Sequence, residues 1–141
     1  MQGWKVKEIK FRQPIFVKGK FAYWGYWGFV TDGTFVGPEY NYSTIEEAKN
    51  NSQQFTGLLD KNGKEIYEGD IIEYDESQIG GFEGLGEVIY LPDMTLHGPS
   101  FCIETYKTKN MSPNQSDGGH SLFPFNYAVI GNIFENSELI K

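Results

Sequence analysis

The sequence is poor in the side chains that do chemistry. It holds one cysteine, Cys102, and two histidines, His97 and His120. A lone cysteine excludes an internal disulfide and points to a reducing compartment. No segment approaches the roughly 18 apolar residues that a membrane span requires. The opening Met1-Gln2-Gly3-Trp4-Lys5 offers no apolar stretch for a signal peptide. Cations are scarce too: 12 Lys and Arg stand against 19 Asp and Glu, a net charge of −7. A surface of that sign repels a phosphate backbone, whose affinity for proteins depends on cations displacing counterions. The expectation is a soluble, intracellular protein, with no membrane association and with direct nucleic-acid binding disfavoured.

What remains is a chain built for strands. Its 141 residues suit one domain or two small units. Hydrophobic residues at 39% suffice for a core, and 16% aromatics with 17 glycines favour strands and tight turns over helices. Charge is uneven. Residues 1–50 balance to +2 and residues 89–141 to −2, whereas residues 51–88 carry two lysines against nine acids, a balance of −7. Such a stretch is either a solvated face or a surface for a basic partner.

Glu8-Ile9-Lys10-Phe11-Arg12 alternates as a half-buried strand should, with Trp4 and Val6 on the opposite parity, which places a bulge or strand start near Lys7. Ile15-Phe16-Val17, Lys18-Gly19-Lys20 and Phe21-Ala22-Tyr23-Trp24 read as a hairpin, and Asp32-Gly33 as a second turn. Ser43-Thr44-Ile45-Glu46 has the form of a capping box and predicts a short helix to about Asn50. Then come a strand at Gln54-Phe55-Thr56-Gly57-Leu58, a turn built on Asn62-Gly63, and strands at Ile66-Tyr67 and Ile71-Ile72-Glu73-Tyr74. A glycine-rich loop over 79–86 leads to strands over 87–90, 101–106 and 127–134, with a polar loop over 107–125. Short strands with tight turns suggest a small barrel, which removes free sheet edges.

Few residues carry a chemical signal. His97, Cys102 and His120 lack paired metal-ligand spacing, so no metal or cofactor is expected. Cys102 falls in a predicted strand, where cysteine is a small buried hydrophobe, and no nucleophile elbow is present. Asp60-Lys61-Asn62-Gly63 starts like a calcium loop, but glycine comes fourth instead of sixth and lysine occupies the fifth, ligand position. The glycine-rich loop precedes a strand where a phosphate-binding loop needs a helix. Glu68 and Asp70 share a parity suited to an acid–base pair, yet bracketing Gly69 they read as turn and strand-start residues. No catalytic residue is assigned. The aromatic run holds Tyr23, Trp24, Tyr26 and Trp27, resembling a stacking platform for single strands. No cation lies between Phe21 and Thr34, so a sheet core with a few rings exposed for protein contact is the plainer reading.

The segment from Gln54 through Gly57-Leu58-Leu59-Asp60-Lys61-Asn62-Gly63-Lys64-Glu65-Ile66-Tyr67-Glu68-Gly69-Asp70 to Ile72 resembles the signature of the YopX family, small proteins of bacteriophages and prophages. Lys7-Glu8-Ile9-Lys10-Phe11-Arg12 resembles that family's opening strand, and Val129-Ile130-Gly131-Asn132-Ile133-Phe134-Glu135-Asn136 its closing one. After Arg12 the chain reads Gln13-Pro14-Ile15-Phe16, where many members carry a Trp-Asp pair. The resemblance implies an SH3-like barrel and an origin in a mobile genetic element, and it brings no catalytic residues. The expected architecture is thus mainly β, α+β overall. An aromatic-rich hairpin and short-helix unit over 1–51 precedes an SH3-like barrel over 52–141.

The expected function is non-enzymatic binding of a host protein, in its most specific form inhibition of a CRISPR nuclease or another nucleic-acid-targeting defence enzyme. The acids Asp60, Glu65, Glu68, Asp70, Glu73, Asp75, Glu76 and Glu83 would engage its cationic groove, with the four rings as a second patch. The alternatives are an accessory module for phage replication or regulation that binds nucleic acid or nucleotides, and a self-assembling structural protein. For Asp60, Glu65, Glu68 and Asp70 a role in setting turns competes with one as surface charge.

Overall fold

The computed structural model describes residues 9–29, 34–38, 45–75, 83–91, 100–109, 120–121 and 127–140. They form ten strands, one α-helix and a final 3-10 helix, and the registered strand pairs are antiparallel. The mainly-β expectation holds. The chain divides into two compact units, Met1–Gly57 and Leu58–Lys141.

The first unit contains β1 (Lys10–Val17), β2 (Lys20–Phe29), β3 (Phe35–Val36), α1 (Ile45–Asn51) and most of β4 (Gln53–Leu59), with the strands ordered β3-β2-β1-β4. The two strand segments expected on either side of Pro14 are one continuous strand. Proline is tolerated there because β4 meets β1 only at Phe11 and Arg12, leaving later residues with fewer ladder bonds to supply. Lys18 and Gly19 both take positive φ, 53° and 78°, making the two-residue turn that suits the twist of a hairpin. Gly28 is fixed by sterics: at φ 101°, an added Cβ would stand 2.6 Å from the carbonyl oxygen of Ile9. Helix α1 carries Glu46 and Glu47 in its first turn, where acids complement the helix dipole, and buries Ala48. Ser43 and Thr44 of the expected capping box, the Asp32-Gly33 turn, and Trp4 and Val6 lie outside the described residues.

The second unit takes the end of β4, β5 (Glu65–Tyr67), β6 (Asp70–Asp75), β7 (Glu83–Leu91), β8 (Ser100–Lys109), β9 (His120–Ser121), β10 (Tyr127–Asn132) and the 3-10 helix Ser137–Ile140. Strands β6 to β10 form a sheet in the order β10-β6-β7-β8-β9. The pair that would close it into a barrel is not among the described ones. Its core gathers Ile66, Ile72, Tyr74, Val88, Ile103 and Tyr127, with Phe101 and Val129 against them. Each such side chain contributes on the order of 1.5–3 kcal/mol when removed from water.

Three expectations change here. Glu83-Gly84-Leu85-Gly86 belongs to β7 instead of a glycine-rich loop. Glycine serves that strand because a Cβ on Gly86 would stand 2.4 Å from the Ile103 side chain, beside the register shift with β8. Ile133 and Phe134 have left the last strand for a turn, in which Asn132 Oδ1 accepts from the Phe134 N–H at 2.8 Å. Part of the long polar loop is strand: β8 runs to Lys109, and β9 pairs Ser121 with Cys102. The rest of that loop, with His97, Glu76 and residues 79–82, lies outside the described residues.

Candidate functional site

The acids of the second unit fall into two groups. Asp60 is 6% exposed, at the start of the turn after β4. Its Oδ1 accepts from the N–H groups of Asn62 at 2.8 Å and Lys64 at 2.9 Å, and its Oδ2 accepts from the N–H of Val129 on β10 at 2.9 Å. Lys61 N–H adds a bond to the Tyr127 carbonyl at 2.9 Å. Burial alone would push this carboxyl's pKa up. The backbone donors of Val129, Lys64 and Asn62, with the charge of Lys64, more than offset that and hold it below the ordinary aspartate value.

The turn itself differs from the one expected. Gly63 N–H donates to the Asp60 carbonyl at 3.0 Å, and Asp60 N–H to the Lys64 carbonyl at 2.7 Å. Lys61 and Asn62 keep negative φ while Gly63 sits at 83°. This is a turn over Lys61-Asn62 closed by a left-handed glycine, not one with Asn62-Gly63 at its centre.

Asp70 is 1% exposed, and its Oδ2 accepts from the Tyr67 N–H at 2.7 Å across the bend at Gly69. Asn132 Nδ2 bonds the Gly69 carbonyl at 3.1 Å and lies 3.4 Å from Asp70 Oδ1. Gly69 N–H meets the Val88 carbonyl at 2.8 Å, and Ile133 N–H meets the Gly69 carbonyl at 3.1 Å. Asn136 Oδ1 in turn accepts from Asn132 N–H at 3.1 Å, and its side chain fills the space beside Gly131 that a Cβ would need. The segments at 60–72 and 129–136 therefore cross-link through buried polar groups. Asp60 and Asp70 do not belong to an acidic surface: both are buried, Asp60 on three backbone donors and Asp70 on the Tyr67 N–H and the Asn132 amide.

Glu65 is half-buried and accepts from the Tyr67 hydroxyl at 3.2 Å, and Glu68 is half-buried beside the bend. Glu73 and Asp75 are exposed on the side of β6 opposite Ile72 and Tyr74. Register places Glu83 directly across from Asp75, and Glu87 across from Glu104. Like charges in directly opposed positions weaken a sheet. Glu87 and Glu104 extend the candidate set. Alternation along β6 hinted at an outward acidic face, but only the register shows what stands opposite it. In the register Lys107 and Lys109 hold the positions across from Leu85 and Glu83. Glu76 lies outside the described residues.

The four aromatic candidates are not one platform. On a regular strand alternate residues face opposite ways, and the register pairs Tyr23 with Ile15 and Trp27 with Phe11, but Trp24 with Pro14 and Tyr26 with Arg12. Trp27 stacks on Phe11 at 4.2 Å and donates to Ser52 Oγ at 2.9 Å, while Ser52 Oγ bonds the Ala48 carbonyl at the end of α1. Trp24 lies under the guanidinium of Arg12, 4.3 Å from its ring, and Arg12 Nε is held by Gln53 Oε1 at 2.9 Å. A neighbouring strand thus supplies the cation missing from the run, but Arg12 is buried, so it steadies Trp24 and is not presented to a phosphate. Tyr23 and Tyr26 are exposed, and so are Phe29 and Phe35, whose rings meet at 5.6 Å.

Among the described residues no His, Cys, Asp or Glu side chains gather in threes as a metal site would require. Burial, and then the charge of Glu104, push the Cys102 thiol upward, which leaves it a protonated, inert side chain. No helix among the described residues is long and apolar enough to cross a membrane.

Small antiparallel sheets, cross-linked where the sequence is most distinctive, define a β-rich class of protein. The chain belongs to the YopX family, whose model, described as YopX protein, matches residues 30–141. It is similar to the crystal structure of protein EF1440 from Enterococcus faecalis, with 23% identity over 94% of this chain and 98% of that one and a TM-score of 0.41. No curated protein matches its sequence.

Proposed function

We propose that this YopX-family chain is a non-enzymatic binding protein of a bacteriophage or prophage that engages a host protein in the bacterial cytoplasm. In its most specific form it inhibits a nucleic-acid-targeting defence enzyme, such as a CRISPR nuclease, by occupying a cationic groove. The observation that carries this reading is the outward face of β6 and β7, where exposed Glu73 and Asp75 stand beside Glu83. Carboxylates gathered on one sheet face favour encounter with a basic surface and disfavour nucleic acid. A non-enzymatic role is supported by Asp60 and Asp70: acids that accept backbone hydrogen bonds from three donors and one donor respectively are engaged in holding the fold.

The test is a cleavage assay with a purified CRISPR nuclease and its guide, titrated with the wild-type chain and with the double substitution Glu73→Lys, Asp75→Lys. Dose-dependent inhibition that weakens with salt and is lost in the double variant supports the proposal. Full cleavage at large excess of the chain sinks the nuclease target. Capture of host partners that disappears after nuclease treatment of the lysate would point instead to a nucleic-acid-binding module. Concentration-dependent growth of the particle in light scattering, with no partner captured, would point to self-assembly.

A further inference from the structure

We infer that Asn62-Gly63 is a latent deamidation site, kept slow by the hydrogen bonds that Asp60 makes across its turn and reacting from the turn in which they have opened. The pair is the chain's only Asn-Gly step. Asn62 and Gly63 are both exposed, and a Cβ placed on Gly63 would meet nothing within 4 Å. The turn is thus open to solvent, while the Gly63 nitrogen is engaged by its hydrogen bond to the Asp60 carbonyl.

In the reaction the Gly63 nitrogen gives its proton to a solvent base and attacks Cγ of Asn62. The new N–Cγ bond forms as the Cγ–Nδ2 bond breaks, and Nδ2 takes up a proton from solvent and leaves as ammonia. Water then opens the resulting five-membered imide at one of its two carbonyls, giving aspartate or isoaspartate at position 62. No oxidant or reductant is needed.

The folded turn opposes the first step. Gly63 N–H is spent on the Asp60 carbonyl at 3.0 Å, and the N–H groups on either side, of Asn62 and Lys64, are both held by Asp60 Oδ1. Lys61 N–H is fixed on the Tyr127 carbonyl. For the Gly63 nitrogen to reach Cγ the peptide must rotate, which breaks its bond to Asp60 and strains those beside it. Reaction thus proceeds from a locally opened turn, whose population the Asp60 bonds set. The isoaspartate product adds a methylene to the backbone between residues 62 and 63, so Lys64 N–H no longer falls on Asp60 Oδ1. The aspartate product keeps the chain length but places a second carboxylate two residues from Asp60.

The experiment incubates the full chain in mildly alkaline buffer and follows residue 62 by peptide mapping that separates Asn, Asp and isoaspartate. Wild type is compared with Asp60→Asn, and with wild type in a urea series kept below the unfolding transition. Conversion at Asn62 should outrun that at Asn50 and Asn136, and should rise about tenfold or more in Asp60→Asn, the effect expected when a charged acceptor is lost. It should also climb with urea before global unfolding. Equal rates in wild type and Asp60→Asn overturn the inference. If Asp60→Asn does not fold, the urea series decides: conversion that appears only with global unfolding refutes control by the turn.

Discussion

In the β1–β2 hairpin the rings of Tyr23 and Tyr26 stand in solvent, whereas the carboxylates of Asp60 and Asp70 turn inward. Residue type alone suggests the reverse, with aromatics for the core and acids for the surface. The difference lies in where backbone groups would otherwise go unpaired. The bends at Asp60 and Gly69 expose N–H groups that no strand partner reaches, and a short acceptor there removes the cost of leaving them orphaned. The hairpin has no such need, since its ladder is continuous apart from one register shift between Ile15 and Phe16. Its outward rings are therefore free to be surface.

The comparison breaks most visibly if Asp60 is removed. Asp60→Ala leaves three backbone donors without their acceptor and should lower stability by about 2–4 kcal/mol in urea unfolding. The same group fixes a pH dependence. Its folded pKa is depressed, so its contribution is complete above the unfolded value near 3.9 and is lost as pH falls through the lower folded one. Acid titration of wild type and Asp60→Ala should show their stabilities converging below that value, and a constant gap would contradict the assignment.

In the first unit the largest effect belongs to Gly28. Gly28→Ala forces a side chain into a positive φ and onto the Ile9 carbonyl, and should cost about 2 kcal/mol or more by thermal unfolding. Ser52→Ala strands the Trp27 indole N–H and should cost about 1 kcal/mol, with a shift in Trp fluorescence. At the surface, Tyr26→Ser or Phe35→Ser should change stability by no more than about 0.5 kcal/mol. A larger loss would show that these rings belong to a core after all. Of similar size but opposite sign, Lys18→Asn relieves a positive φ at the hairpin turn and should raise stability by about 0.5 kcal/mol.

What sequence reasoning found were the local features. The Lys18-Gly19 turn, the helix from Ile45 and the β4–β5 hairpin all rest on contacts between near neighbours, whose residue types state the backbone they want. It failed where the partner is remote. Nothing near Asp60 announces that Val129 will donate to it, and nothing near Arg12 names Gln53. Glu83 to Gly86 read as loop because glycine usually breaks strands, whereas Gly86 is required by the close approach of Ile103 on β8. Of the three stretches that carried the family resemblance, 54–72 and 129–136 stand apart in the sequence, and the structure makes them one cross-linked feature. The acidic candidates were grouped as one surface from the sequence, and the structure divides them: Glu73 and Asp75 are exposed, whereas Asp60 and Asp70 are buried by chain returning from far away.

The bond from Val129 to Asp60 spans 69 positions of chain. During synthesis the turn at Asp60 leaves the ribosome long before β10 exists, with its carboxylate half satisfied and the Tyr74 side of the sheet lacking the Tyr127 ring that will meet it at 6.1 Å. At elongation rates of roughly 5–20 residues per second this gap lasts for seconds. The second unit must therefore finish folding late, through non-local pairing of the kind that folds slowly, and a chain halted before residue 127 is left with an unfinished sheet edge.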